Sequence, residues 1–172
     1  MDVTLTTWNI NSVRLRIDQV EAFIKTHQPD ILCLQETKVA DPLFPSKMFT
    51  KQGYEHAAIA GQKGYHGVAT LSRIPFEQID RRDWCGKGDA RHISVRFEGG
   101  AELHNFYVPA GGDIPDPNEN DKFAHKLDFL DEMAVWFGAE RQTEDKLILV
   151  GDLNVAPSEH DVWSHKQLLK VV

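Results

Sequence analysis

Cysteine and long apolar runs are both scarce in this chain. Only Cys33 and Cys85 occur among 172 residues, which excludes a disulfide framework or a thiolate zinc site as its main organiser. No apolar run approaches the roughly 20 residues that a membrane-spanning helix needs. The opening residues 1–4 lack the basic and apolar regions of a secretory signal. We therefore expect a cytoplasmic protein without a membrane partner.

The composition is that of a folded globular protein. A length of 172 residues suits one domain, and contents of 41% hydrophobic and 26% charged residues argue against general disorder. The net charge of -7 argues weakly against a general nucleic-acid binder, because phosphate contacts require a basic face. However, residues 1–90 carry 11 acidic and 11 basic side chains, so the acidic excess lies in residues 91–172. The first part can therefore hold either a local basic groove or an ordinary solvated surface.

The apolar pattern predicts a mixed α/β protein. Val3–Trp8 alternates as a strand does, and helical spacing of apolar residues predicts a helix over Lys122–Glu140. Ile31–Leu34 and Leu147–Val150 are nearly continuous apolar runs, which predicts strands covered on both faces. Short strands and turns fill Tyr54–Pro109. This mixture indicates parallel and antiparallel strands with helices outside the sheet.

Polar side chains follow three of the predicted strands at the points where these strands end. Asn9 and Asn11 follow the first strand, Glu36 follows the second, and Asp152 and Asn154 follow Leu147–Val150. Each group alone is typical of a turn, where such side chains bond to nearby backbone. Because strand ends that lie side by side also form binding sites in open sheets, the repeated pattern predicts one shared site.

The residue types of this predicted site favour a hard cation and a phosphate substrate. Carboxylate and amide oxygens suit Mg²⁺ or Mn²⁺, and such a cation neutralises charge on a phosphoryl oxygen. Tyr107 ends another strand, where its phenol either donates to a phosphate oxygen or closes the sheet edge. Lys63 and His66, in the glycine-containing segment 61–67, are candidates for a phosphate contact at a hairpin tip.

Five segments resemble, in order, the motifs of the exodeoxyribonuclease III and apurinic/apyrimidinic endonuclease family. They are Trp8–Arg14, Leu34–Lys38, Gly67–Ala69, Tyr107–Pro109 and Gly151–Ala156. This family lies within the endonuclease/exonuclease/phosphatase superfamily, whose phosphoinositide phosphatases and sphingomyelinases share the outline. The Asn-Ser-Val-Arg and Glu-Thr-Lys contexts are similar to the DNA-repair branch.

The resemblance implies a fold, an activity and a partner. The fold is a four-layer α/β/β/α sandwich of two packed sheets with helices outside. The activity is Mg²⁺- or Mn²⁺-dependent hydrolysis of DNA phosphodiesters in base-excision repair. The substrate is double-stranded DNA, attacked by 3′-to-5′ exonuclease action or by incision at abasic sites.

The resemblance also implies roles for individual residues. Glu36 becomes the principal metal ligand, with Asn9 and Asn11 beside it. Asp152 activates the attacking water, Asn154 orients that water, and Tyr107 contacts the phosphate. We predict the DNA-contacting side chains to be Arg14, Lys63, His66 and Arg91.

The chain departs from the family pattern at its C-terminal end. Members of the family continue into further strands and a Ser-Asp-His motif that nothing here matches. His160 and His165 are predicted to be surface histidines and do not replace that motif. We therefore expect residues 1–172 to be the N-terminal two thirds of a single, C-terminally truncated domain. Such a chain is expected to be poorly stable or self-associated, with impaired cleavage.

Two other functions stay open at this point. One is a phosphomonoesterase or lipid phosphodiesterase of the same superfamily. The other is a non-catalytic DNA-binding fragment that keeps the fold without the reaction. Cleavage of abasic-site DNA separates the leading hypothesis from both.

Overall fold

The structure, a computed structural model, describes residues 2–168, apart from the side chains of Gln78 and Ile79. Its eight described strands form two four-stranded sheets, so the predicted mixed α/β class is confirmed. The strands are β1 (Leu5–Asn9), β2 (Ile31–Gln35), β3 (His56–Ala60), β4 (Val68–Ser72), β5 (Phe76–Asp80), β6 (His92–Phe97), β7 (Glu102–Tyr107) and β8 (Leu147–Asp152). The helices are α1 (Ile17–His27), α2 (Ser46–Lys51), α3 (Asp121–Glu140) and α4 (His165–Leu168).

The chain divides into two compact units. The first contains every residue up to Tyr107 together with Glu144–Asp152, and therefore holds both sheets. The second contains Val108–Thr143 and the residues from Leu153 onward, and therefore holds α3 and α4. Over the part of the chain that is described, no helix has both the length and the apolar character needed to cross a membrane.

The first sheet of the first unit has the order β1-β2-β4-β3. β1 and β2 are parallel, and β4 is antiparallel to both of its neighbours. Every residue of β2 is buried, as its apolar run predicts. Because side chains alternate along a strand, Leu32 and Leu34 pack in one core with Val20 and Ile24 of α1 and Phe49 of α2.

The second sheet has the order β5-β6-β7-β8, with a parallel pair only between β7 and β8. Ile31 and Cys33, on the opposite face of β2, pack in a second core with Ile93, Val95 and Leu103 of this sheet. The two sheets therefore share a core within the first unit, which is the sandwich arrangement the resemblance implies.

A buried polar contact also joins the two sheets. Gln35 Nε2 donates to Asn105 Oδ1 at 2.7 Å. Asn105 Nδ2 in turn donates to the backbone oxygens of Leu34 and Ala69 at 3.2 and 3.0 Å. Since Gln35 precedes Glu36 and Asn105 lies two residues before Tyr107, this contact fixes the strands that carry two predicted site residues.

One burial prediction is wrong. Leu147–Val150 was expected to be covered on both faces, but Ile148 and Leu149 are 43% and 44% exposed. β8 pairs only with β7 in the described sheet, so it lies at a sheet edge. An apolar run indicates that a strand is hydrophobic, but it does not indicate how many strands pair with it. The central strand β2 and the edge strand β8 therefore look alike in sequence.

Candidate active site

The site lies at the carboxyl ends of parallel strand pairs, where the sequence pattern predicts it. In the first sheet, the parallel register places Asn9 beside Gln35, so Glu36 follows directly. In the second sheet, the register places Tyr107 of β7 beside Asp152 of β8. Both strand pairs belong to the first unit. The side chains of Asn9, Glu36, Tyr107 and Asp152 are all half-buried.

Asn9 connects the two sheets through its side-chain amide. Its Nδ2 donates to Glu36 Oε1 at 2.8 Å and to Asp152 Oδ2 at 2.7 Å. The two accepting oxygens are therefore no more than 5.5 Å apart, the sum of these two bonds. Residues 143 positions apart in the chain thus meet at one atom. Three members of the predicted shared site, Asn9, Glu36 and Asp152, therefore lie together, whereas the part of Asn154 in that site stays a prediction.

The donor set fits a magnesium ion. Mg²⁺ typically uses one or two carboxylates and keeps several waters, and Glu36 and Asp152 supply two carboxylates at close range. No group of three histidine, cysteine, aspartate or glutamate side chains with metal-binding geometry occurs among residues 2–168.

Asn9 faces this site with its nitrogen rather than its oxygen. Its Oδ1 accepts from the backbone N–H of Asn11 at 3.1 Å, which leaves Nδ2 for the carboxylates. An amide N–H donates and does not bind a cation. Direct ligation by Asn9, as the resemblance implies, therefore requires the amide to turn over, and the ligand role of Asn9 stays a prediction.

Lys38 is part of the site although the sequence analysis assigned it no role. Its Nζ lies 2.7 Å from Glu36 Oε2 and donates to Asn11 Oδ1 at 2.6 Å. Burial alone raises the pKa of Glu36, but hydrogen bonds from Asn9, Lys38 and Tyr107 outweigh it and lower the pKa overall. Glu36 is therefore held as a carboxylate, which is the form that binds a cation.

The phenol O–H of Tyr107 donates a hydrogen bond to the Glu36 side chain. Burial, followed by this hydrogen bond and the nearby negative charge of Glu36, raises the pKa of Tyr107 to about 12. The side chain is therefore a neutral hydrogen-bond donor at physiological pH. Its single O–H is engaged by Glu36 here, so donation to a phosphate oxygen requires that bond to be exchanged, and the phosphate contact stays a prediction.

Two predicted DNA-contacting residues, Arg14 and Lys63, lie on segments that hydrogen-bond to the chain just after Glu36. Arg14 is exposed in the turn before α1, and the adjacent Val13 N–H donates to Thr37 O at 3.2 Å. Segment 61–67 joins β3 to β4, as predicted, and its exposed Lys63 precedes Gly64, whose N–H donates to Lys38 O at 3.3 Å. The DNA contacts themselves stay predictions.

His66 and Arg91 are less accessible than Arg14 and Lys63. Their side chains are 21% and 9% exposed, and both contact Asp89. Tyr65, which lies between Lys63 and His66, is 69% exposed, and no role was predicted for it from sequence. Its exposure was predictable, because an aromatic residue in the glycine-containing loop 61–67 has no core to pack against.

Asn154 belongs to the second unit. Its Nδ2 donates to Val108 O at 2.8 Å, and its backbone oxygen accepts from Lys126 Nζ at 2.8 Å. The backbone of Asn154 is left-handed, with φ 49°, a conformation that asparagine tolerates well. Its water-orienting role stays a prediction. His160 is a surface histidine, 88% exposed in its side chain, as expected.

Comparison with known proteins decides the family. The model of the endonuclease/exonuclease/phosphatase family matches residues 6–171. The chain belongs to this family. It is 34% identical over 161 residues to exodeoxyribonuclease III of Haemophilus influenzae, and 28% identical over 172 residues to the DNA repair nuclease APEX1 of Danio rerio. These alignments cover 91% and 96% of the chain. The predicted resemblance to the DNA-repair branch is therefore confirmed.

Solved structures agree with this family fold. An AP endonuclease from Archaeoglobus fulgidus matches 98% of the chain with a TM-score of 0.89 and 34% identity. The 3′ phosphatase NExo from Neisseria, bound to a product DNA hairpin, matches 97% with a TM-score of 0.85 and 29% identity. The chain spans 64% and 63% of these two structures. It spans 59% of the Haemophilus relative and 53% of the Danio relative.

Proposed function

We propose that this chain carries the cation-binding and water-activating part of a DNA-hydrolysing active site. The substrate class is double-stranded DNA, cut beside abasic sites or from 3′ ends, with Mg²⁺ or Mn²⁺ as cofactor. The observation that carries the proposal is the Asn9 amide, which holds the Glu36 and Asp152 carboxylates within hydrogen-bond distance of one nitrogen.

Each side chain has a distinct part in this proposal. Glu36 binds the cation as a carboxylate, helped by the positive charge of Lys38 and the phenol of Tyr107. Asp152 takes a proton from the attacking water, because a carboxylate beside the scissile phosphate is the available base. When DNA binds, Tyr107 is proposed to turn its single O–H from Glu36 to a phosphate oxygen. When bound, the cation supplies positive charge to the phosphoryl oxygens.

Asn9 is proposed to hold Asp152 and Glu36 in register. A single donor shared by two carboxylates keeps them close despite their mutual repulsion. Asn154, two residues after Asp152, is proposed to orient the water through its side chain. Arg14 and Lys63, both exposed, are proposed to contact DNA phosphates, which are the partners that basic side chains bind in nucleic acids.

A second candidate function is removal of a 3′ phosphate from DNA. The structural relative from Neisseria is described as a 3′ phosphatase, and the same pair of carboxylates suits a phosphomonoester as well as a phosphodiester. The two activities differ in the leaving group and not in the cation-binding residues. Assays with different substrates therefore distinguish the two activities, whereas mutation of Glu36 does not.

The cation-binding role is tested by calorimetric titration of this protein with Mg²⁺ and with Mn²⁺. Glu36→Gln is expected to weaken cation binding at least about tenfold, since it removes one of two carboxylates. Its DNA affinity, measured in EDTA, is expected to change less. The control is Glu55→Gln, which removes the same charge from an exposed position. Unchanged cation affinity in Glu36→Gln contradicts the ligand assignment.

The substrate class is tested with three labelled duplexes that carry an abasic site, a recessed 3′ end or a 3′ phosphate. With enzyme in excess, Mg²⁺-dependent incision or shortening supports the nuclease proposal. Release of phosphate alone supports the second candidate. Salt-dependent DNA binding without any of these reactions contradicts both and favours a non-catalytic DNA-binding protein.

A further inference from the structure

A cluster of three polar side chains, those of His66, Asp89 and Arg91, lies beside the ring of Tyr107. Asp89 Oδ2 accepts from Arg91 Nε at 2.9 Å, and Asp89 Oδ1 lies 3.5 Å from His66 Nε2. The Arg91 guanidinium lies 5.0 Å from the Tyr107 ring centroid, and the His66 ring centroid lies 6.0 Å from it. One carboxylate thus holds both side chains that contact the phenol ring.

We infer that Asp89 is a positioning residue, which fixes Arg91 and His66 against Tyr107 and thereby fixes the phenol beside Glu36. Its consequence for catalysis rests on the proposed function, but the positioning itself does not. Asp89 touches no predicted cation ligand, so it acts only through the two side chains that it binds.

The backbone around this cluster supports the inference. Arg91 Nη1 donates to Tyr107 O at 3.2 Å, and Tyr107 N–H donates to Arg91 O at 2.8 Å. His66 O accepts from the N–H of Lys38 at 2.9 Å. Arg91 is therefore hydrogen-bonded to the end of β7, and His66 to the residues that follow β2. Because Asp89 binds both side chains, it connects these two strand ends.

The same contacts assign Arg91 a role other than the DNA contact predicted from sequence. Its side chain is only 9% exposed and its guanidinium is engaged by Asp89, by the Tyr107 oxygen and by the Tyr107 ring. A guanidinium held by these contacts packs in one fixed position against the Tyr107 ring. Asp89 supplies the negative charge that makes burial of the arginine tolerable.

The test uses Asp89→Asn, which keeps the shape and removes the charge. The chain has three tyrosines, so ¹³C-tyrosine NMR resolves Tyr107, assigned by loss of its signal in Tyr107→Phe. We expect Asp89→Asn to move the Tyr107 ring signal and speed ring flipping, while the signal of Tyr54, buried in the other core, stays unchanged. Asp89→Glu is expected to restore part of the parent signal. The control Lys25→Gln, which removes the ion pair with Glu21 from its exposed partner, is expected to move neither signal.

The second readout is single-turnover cleavage of the abasic duplex. Displacement of a group that contacts the substrate is expected to lower the rate constant between about tenfold and a hundredfold, with DNA affinity changed less than twofold. If Asp89→Asn disturbs Tyr54 as well, His66→Gln removes one arm of the cluster and must still move Tyr107. Unchanged Tyr107 signals in a folded Asp89→Asn or His66→Gln overturn the inference. Absence of cleavage in the parent protein contradicts the proposed function, while the NMR result still decides the positioning.

Discussion

A row of buried side chains across β6 and β7 predicts how stability depends on pH. The backbone N–H of Arg82 donates to His92 Nδ1 at 3.3 Å, so the proton of His92 sits on Nε2. His92 Nε2 then donates to His104 Nδ1 at 2.9 Å, and His104 Nε2 donates to Glu102 at 2.8 Å. Both imidazoles are therefore neutral, and each ring nitrogen has a partner.

Acid disrupts this arrangement because a second proton on His92 must enter at Nδ1, where it meets the N–H of Arg82. Burial, followed by repulsion from His104 once acid has protonated it and from Arg82, lowers the pKa of His92 from 6.5 to about 3, although Glu102 opposes the shift. The native state thus stays neutral at a pH where the unfolded chain takes up a proton. Stability is unaffected above pH 6.5 and falls as the pH drops from there towards about 3.

The size of the effect follows from the two pKa values. Between about pH 7.5 and pH 5, preferential protonation of the unfolded chain at this one site removes about 2 kcal/mol of unfolding free energy. For a protein of this size, that corresponds to a fall in Tm of roughly 4–8 °C.

Urea unfolding of the parent and of His92→Gln at both pH values measures this term. The variant's own loss of packing occurs at both pH values, so it cancels in the difference between them. We expect the pH-dependent loss to be about 2 kcal/mol smaller in His92→Gln than in the parent. The exposed control His160→Gln is expected to behave as the parent does. An identical pH dependence in His92→Gln refutes the reasoning.

Three further predictions concern the site and its support. Asp152→Asn is expected to lower single-turnover cleavage by about 10²–10⁴-fold without weakening DNA binding, and a rate within a few-fold of the parent excludes Asp152 as the base. Asn105→Ala removes three buried hydrogen bonds, one from Gln35 and two to the carbonyls of Leu34 and Ala69, so urea unfolding is expected to show a loss of about 3 kcal/mol, and a loss below about 1 kcal/mol contradicts this. In Gly151→Ala the new Cβ would lie 2.0 Å from Phe106 O at φ 137°, so thermal melting is expected to show severe destabilisation, whereas Gly138→Ala, with open space around it, is the control.

The sequence predicts the location of the site because strand ends are marked by an abrupt change in polarity. The apolar run Ile31–Leu34 stops at Gln35 and the run Leu147–Val150 stops shortly before Asp152, and the strands themselves end at Gln35 and Asp152. Parallel pairing then places Asn9 beside the end of β2 and Tyr107 beside Asp152, each pair within its own sheet. The meeting of the two sheets at the Asn9 amide depends on how the sheets pack, which the local pattern does not record.

Features that depend on a strand's neighbours were not predictable in the same way. The bounds of β5 within the predicted region of short strands were not predictable, because Phe76–Asp80 has little apolar alternation and pairs only with β6 in the described sheet. The contacts of Asp89 were missed because they join segment 61–67 to the start of β6, and no periodicity records such a meeting. Contacts between loops depend on tertiary packing, so secondary-structure propensities of the residues do not predict them.

The orientation of Asn9 illustrates where residue type ceases to determine role. An asparagine offers both an oxygen for a cation and a nitrogen for a carboxylate, and the sequence analysis assigned it the first. The N–H of Asn11 occupies its oxygen, so the nitrogen bonds to Glu36 and Asp152 instead. With Lys38 on the other oxygen of Glu36, the two carboxylates are stabilised by a neutral donor and one positive charge. Two negative charges and one positive charge leave a net negative site, and this residual charge is what a divalent cation would neutralise.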